Sequence, residues 1–406
     1  MIGVIGYGNV GLGIDRLLAL VLVVLVFSST VFLRGSFKIK KGNLVIFCLL
    51  LLMCLPALLQ NSIITMYLNN SSSALAFSSV ETNSLNISSI LKLIQIFFSY
   101  FFIIILASEV SKLSNKRRFD YVLISMFIIS AFAFLDFIPG ILDLYNLIKV
   151  NPSYPTIVAG IETTGMTRLS GLTAEPSHLV VFSAAGLIMC LCKYTFSNER
   201  FGLRWYLAGI LFLVISIFTS SPSALLLLLP TVYSIVFTKG KMLKKLTIIM
   251  FVVLFFLWAF FTGFLDVMYI TYLGKLGISV ASESYSELRY LSLLYAFEVG
   301  ASHPIFGVGL GNFGLTVGLP ALIFASTGVF GIGVTIWFMS RYTIKINQIG
   351  SFYLLQDKYI WISFKNIALG ILLMSIATKG MNVLTHIPYL VLIALSISSA
   401  VVQKKH

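Results

Sequence analysis

The feature that limits this chain most is a recurring apolar run of membrane length. Such runs occupy residues 14–33, 44–59, 90–108, 121–137, 176–196, 205–218, 223–237, 246–264, 318–340, 360–378 and 383–402. A helix needs about 20 mainly apolar residues to cross the hydrocarbon of a bilayer. In that solvent each backbone N–H and C=O must find a partner inside the protein, so continuous apolar runs of this kind become helices. The expected fold is all-α: a polytopic integral membrane bundle of about eleven transmembrane helices, built as one domain over residues 1–406. Charged residues make up only 10% of the chain, against roughly 25% in a soluble protein, which leaves no stretch polar enough for a separate soluble domain.

Lys and Arg total 28 against 14 Asp and Glu, a net charge of +14. Such an excess would suit nucleic acid, but its distribution says otherwise. The basic residues cluster in alternate connections, at 34–41, 112–118, 193–204, 239–245 and 341–365 and in the tail at 404–405, while most acids lie in the other set. Basic loops stay in the cytoplasm. The pattern places the N-terminus outside and the C-terminus inside, and nucleic acid is not an expected partner. Cys48, Cys54, Cys190 and Cys192 all fall within apolar runs, so neither a disulfide framework nor metal-ligand spacing is present. The four histidines are scattered and the outer acids show no metal spacing; neither a metal nor another cofactor is expected.

Near the N-terminus, Gly6, Gly8 and Gly11 match the spacing of a dinucleotide fingerprint. That spacing carries meaning only in a strand–turn–helix unit with an acid about 20 residues on. Here a membrane-length run ending at Arg34 follows, so the glycines are read as a flexible lead-in.

Three outer loops have substance. Residues 60–89 are rich in Ser and Asn and read as a flexible spacer. Residues 138–174 lead into RLSGLTAEPSH, which runs from Arg168 to His178 at the mouth of the next span. Ionisable groups at such a place are functional candidates; the plainer reading is a capped helix with a snorkelling arginine. Pro176 suits a first helical turn. Residues 265–317 carry Arg289 and then HPIFGVGLGNFG from His303. Residues 282–298 show helical spacing and are expected as an amphipathic helix lying at the outer interface. The glycines at 307, 309 and 311 fit either an anion-binding nest of backbone amides or a tight re-entrant turn where helices cross closely. Two outward arginines suit a lipid-linked phosphate, because guanidinium grips phosphate oxygens bidentately.

These two stretches resemble the O-antigen polymerase and ligase superfamily of bacterial envelope glycosyltransferases. One carries Arg168, Gly171, Glu175, Pro176 and Ser177. The other has Arg289 followed by His303, Pro304, Gly307, Gly309, Asn312 and Phe313, then a span containing Gly328 and Gly331. The resemblance covers about residues 160–340. It implies a GT-C-like architecture with two functional periplasmic loops in the bacterial inner membrane. It also implies a metal-independent polymerase that joins undecaprenyl-diphosphate-linked repeat units, together with a flippase and a chain-length regulator as partners. Arg168 and Arg289, with Gly307, Gly309 and Gly311, would hold the diphosphate. Glu175, then His178, then His303 are the candidate bases, and Glu175 has the alternative of simply pairing with Arg168. Gly171, Pro176, Pro304 and Asn312 would support the site.

The chain departs from the family pattern twice. Ser221-Pro222-Ser223 stands where many relatives carry a Ser-Arg-Gly-like element. Leu319-Pro320 lies where ligases have a His-Asn pair. These departures favour a polymerase over a ligase, and Glu175 or His178 as base. A transporter or flippase is the reading from another class. It would call for buried mid-span charges and related halves; Lys92 and Glu109 lie near span ends, and no internal repeat is evident.

The charge pattern makes a direct prediction. Single cysteines at Ser72 and Ser153 should react with an impermeant thiol reagent applied outside intact cells, and those at Ser36 and Ser114 should not. Outside labelling at Ser114 would break the topology at its most charged loop.

Overall fold

The computed structural model describes residues 4–7, 10–13, 48–49, 52, 62–68, 75–81, 94, 97–99, 101–103, 105–106, 113–137, 176–199, 201–219, 223–237, 283–309, 317–350 and 358–377. Seven helices dominate them: α1 (Asn115–Ala131), α2 (Pro176–Phe196), α3 (Leu203–Phe218), α4 (Ser223–Phe237), α5 (Glu283–Ser302), α6 (Leu319–Gly350) and α7 (Lys358–Ala377). Three of them contain windows long and apolar enough to cross a membrane, at His178–Phe196, Leu319–Trp337 and Lys358–Ile376; Leu203–Phe218 and Ser223–Phe237 are shorter apolar helices. The expected spans at 14–33, 246–264 and 383–402 lie outside the described residues, as does most of 44–59. Within 90–108 every described residue is helical.

Helix boundaries follow local chemistry. The α2 helix opens on Pro176, which needs no amide partner there. The α1 helix starts earlier than its apolar run, because Ser114 caps it: its Oγ accepts from the Arg117 amide at 3.4 Å. The polar lead Asn-Lys-Arg-Arg is thus helical, and the far end of the run tightens into a 3-10 turn at Phe132–Phe137.

Two short hairpins accompany the helical bundle. β1 (Val4–Tyr7) and β2 (Val10–Gly13) pair antiparallel, with Gly6 opposite Gly11. Gly8 and Asn9, which separate the strands, are a hairpin signal. Gly11 therefore sits in a strand instead of opening a helix, so the dinucleotide geometry is not formed. Within 60–89, β3 (Ser62–Leu68) pairs with β4 (Leu75–Glu81). The β-branched and aromatic content of SIITMYL outweighs the surrounding Ser and Asn, and the expected flexible spacer contains a hairpin.

The α2 helix is the axis of the bundle, packed against α1, α3, α4 and α7. Its core includes Val180, Ala184, Ile188 and Met189, all closed off from solvent, with Phe212 of α3 and Ile367 and Ile371 of α7. Between apolar surfaces the helices are also joined by polar contacts, which supply specificity where lipid and side chains are equally oily. Ser216 donates to Ser183 at 2.9 Å. Asn366 of α7 accepts from Ser234 of α4 at 3.0 Å and its amide nitrogen lies 3.9 Å from Cys192 Sγ of α2.

One end of the bundle gathers the first residues of α1, α3 and α7 with the last of α2. Lys193 is buried there, 3.2 Å from Glu199 Oε2, with its Nζ 4.0 Å from the Trp205 ring centroid and 5.3 Å from that of Tyr359. Glu199 also meets Lys116 at 3.3 Å. The Lys193 hydrogen bond, foremost, holds the Glu199 carboxyl below its ordinary range, and Lys116 adds to this. A lowered carboxyl contributes stability above its unfolded titration range and loses it on acidification. Glu199→Gln should therefore destabilise the detergent-solubilised protein by about 1–2 kcal/mol near neutrality, a figure discounted for the half-exposed carboxylate. The same change on a Lys193→Met background should cost much less, and the difference from wild type should shrink below about pH 4. Equal costs in both backgrounds, by thermal denaturation, would remove the pair from the account.

Candidate functional site

Five of the twelve sequence-derived site residues fall outside the described residues: Arg168, Gly171, Glu175, Gly311 and Asn312. Pro176 is the first residue of α2, and Arg289 lies in the second turn of α5. His178, half-buried, stands in the first turn of α2, next to Leu179, which is sealed between Ala133 and Ile215. The start of α2 thus meets the ends of α1 and α3, opposite the Lys193 cluster.

The second stretch has a definite geometry. α5 ends at Ser302, and the chain turns through Pro304–Gly309 against α6. α6 is broken there: Gly328 has φ 61° and ψ −158°. A break exposes backbone groups on both half-helices, and the turn supplies their partners. The amides of Val308 and Gly309 donate to Ala325 O and Ser326 O at 3.0 and 2.7 Å; the amides of Val329 and Phe330 donate to Pro304 O and Ile305 O at 2.8 and 3.2 Å. The Gly307 amide closes the turn on His303 O at 2.9 Å. The two backbones approach so closely that a Cβ on Gly328 would meet the Ile305 carbonyl at 2.5 Å, and one on Gly307 would meet Ser326 backbone at 2.3 Å. Both glycines have positive φ, the region side chains avoid.

Of the two readings of the glycine run, the close crossing is therefore the one formed. The amides at 307–309 point at protein carbonyls, so Gly307 and Gly309 act here as backbone joints, and a diphosphate held by their amides does not fit this arrangement.

The direction of α5 follows from its neighbours. Gly300 and Phe297 lie against Phe324, while Ala296 and Val299 share a cluster with Val317, Ala321 and Leu322. α5 therefore runs parallel to the first half of α6, its later residues meeting later residues of that helix. Gly328 is the middle residue of the apolar window Leu319–Trp337, so the turn at 303–309 sits halfway down that window. This corrects the expectation of a helix lying flat at the interface: the buried Ala296, Val299 and Gly300 form a stripe that packs on α6. His303 is exposed at the turn, its Nδ1 3.0 Å from Ser302 Oγ.

The sequence reading noted Gly328 but missed the break. The available signal was a small-polar triplet, Ser326-Thr327-Gly328, inside an apolar run. Comparison with protein-family models and with curated proteins gives no match.

The crossing can be tested by contrast. Gly328→Ala should lower stability by about 1–3 kcal/mol. Gly333→Ala, on an open face with no atom within 4 Å of the new Cβ, should be neutral or stabilising by up to about 1 kcal/mol. Similar thermal shifts for the two variants in detergent would contradict the crossing.

Proposed function

We propose that the protein is a membrane glycosyltransferase, a polymerase joining polyprenyl-diphosphate-linked repeat units at the outer face of the bacterial inner membrane. The observation that supports this reading is the occurrence of both family-like stretches in one chain, the first running into the start of α2 and the second into the turn that closes on α6. A sugar hydroxyl of one lipid-linked unit attacks the anomeric carbon of the chain carried on another. The bond to the diphosphate breaks, and the diphosphate leaves with the electron pair. Arg168 and Arg289 stabilise its charge, and Glu175 or His178 takes the hydroxyl proton. Lipid-linked substrate arrives from a flippase, and a chain-length regulator sets the product's size.

His303 is less suited to the base role than the other two. It sits about 14 residues below Arg289 along α5, about 21 Å at the helical rise, whereas a diphosphate rides at the headgroup level. One observation favours a second reading, a transporter of the same lipid-linked glycan: a helix broken mid-span is a frequent transporter device. Here the broken ends are bonded to the turn, which leaves fewer groups to hold a transported ion. A ligase is the other enzyme of the same chemistry.

Deleting the protein and inspecting surface polysaccharide separates the three. A single-repeat band restored to a ladder by the gene supports the polymerase. Unattached full-length chains support the ligase, and no lipid-linked units outside supports the transporter. With purified protein, Arg168→Lys and Arg289→Lys should slow chain growth roughly 30- to 150-fold, because a point charge cannot replace the planar fork. Glu175→Gln should slow it about a hundredfold. Near-normal growth in both lysine variants would remove the arginine clamp.

A further inference from the structure

We propose that α5 lines a water-filled vestibule that descends from the outer face to mid-membrane and holds the hydroxyl-rich part of the substrate, with Glu298 as its principal contact. The substrate class rests on the function proposed above; the vestibule does not. The argument begins with depth. The foot of α5 is bonded to the break at Gly328, the centre of the apolar window. Glu298 lies five residues back along a helix parallel to the first half of α6, about 7 Å nearer the outer surface at the helical rise. The hydrocarbon extends about 15 Å on either side of its centre. Glu298 and His303 are therefore both within it, and both are exposed.

A carboxylate facing lipid at that depth is strongly disfavoured, and such residues instead face water-filled cavities. Glu298 also has polar company. Tyr295, Glu298 and Ser302 recur at helical spacing, and His303 adjoins Ser302 through a 3.0 Å contact. Ala296, Val299 and Gly300 are packed against α6 with Tyr295 half-buried beside them, so the polar stripe opens at Glu298 and Ser302, flanked by the exposed Leu294 and Phe297. Its side chains offer hydrogen-bond donors and acceptors and a single acid. That inventory suits an uncharged, hydroxyl-bearing ligand better than a diphosphate, which a carboxylate repels. The anionic end of the substrate would then stand above, at the level of Arg289, and the glycan below it.

The test uses the full-length protein in cells and in purified form. Single cysteines at Glu298 and Ser302 should react with an impermeant thiol reagent added outside. Cysteines at Leu229 and Ile336, exposed apolar positions on α4 and α6, should not. Lipid-linked units extracted from cells lacking the protein are the probe, and they should slow labelling at 298 in a saturable way. In the chain-growth assay, Glu298→Gln should raise KM about tenfold or more while kcat changes little, and Glu298→Asp should recover part of the loss. Labelling at 298 no faster than at 229 would overturn the vestibule. Labelling without protection, or an unchanged KM, would overturn the glycan site. Labelling with protection in a protein that makes no polymer would leave the site standing and remove the polymerase reading.

Discussion

Backbone satisfaction in a medium without water is the constraint on which the rest of this structure depends. A helix broken in the middle of a membrane leaves donors and acceptors that lipid cannot meet. α6 is broken at Gly328, and the turn Pro304–Gly309 meets those groups one for one, with carbonyls of Ala325 and Ser326 accepting and amides of Val329 and Phe330 donating. The turn and the break are thus a single unit. Neither is tolerable alone, and only glycine at 307 and 328 lets the two backbones come close enough. Because α5 leads straight into the turn, this junction also fixes how deep α5 reaches and which of its faces is left open.

The other end of the bundle is held by different physics. Lys193 is drawn inward onto the faces of Trp205 and Tyr359 and is neutralised by Glu199, which reaches across to Lys116. A buried cation is tolerated only with such partners. The effect is to tie the ends of α1, α2, α3 and α7 together on the side that carries the most basic residues. One end is thus closed by charge and aromatic rings, and the other carries the start of α2, where Leu179 meets Ala133 and Ile215.

Much of this was legible in the amino-acid sequence, for reasons that explain what was not. α2 and α4 begin and end where their apolar runs do, because Pro176 and Ser223 mark the starts and hydropathy marks the rest. The start of α1 was hidden because Asn115–Arg118 is polar but helical, stabilised by a cap that hydropathy does not register. α5 looked like a surface helix because its composition is mixed; only its packing against α6 shows that Ala296, Val299 and Gly300 are contact residues, while Glu298 stays exposed beside Leu294 and Phe297. The two hairpins were masked by glycine in one case and by neighbouring serines in the other. The resemblance drew attention to 303–309, but the roles of Gly307 and Gly309 depended on where their amides point, which a motif cannot state.

Hydrogen exchange in lipid nanodiscs tests the crossing of the turn and α6 most directly. If the two are bonded as described, the amides of Gly307, Val308, Gly309, Val329 and Phe330 should exchange as slowly as those in the interior of α2. Exchange of 307–309 within seconds, as for a loop at the water interface, together with an unbroken protected α6, would contradict it.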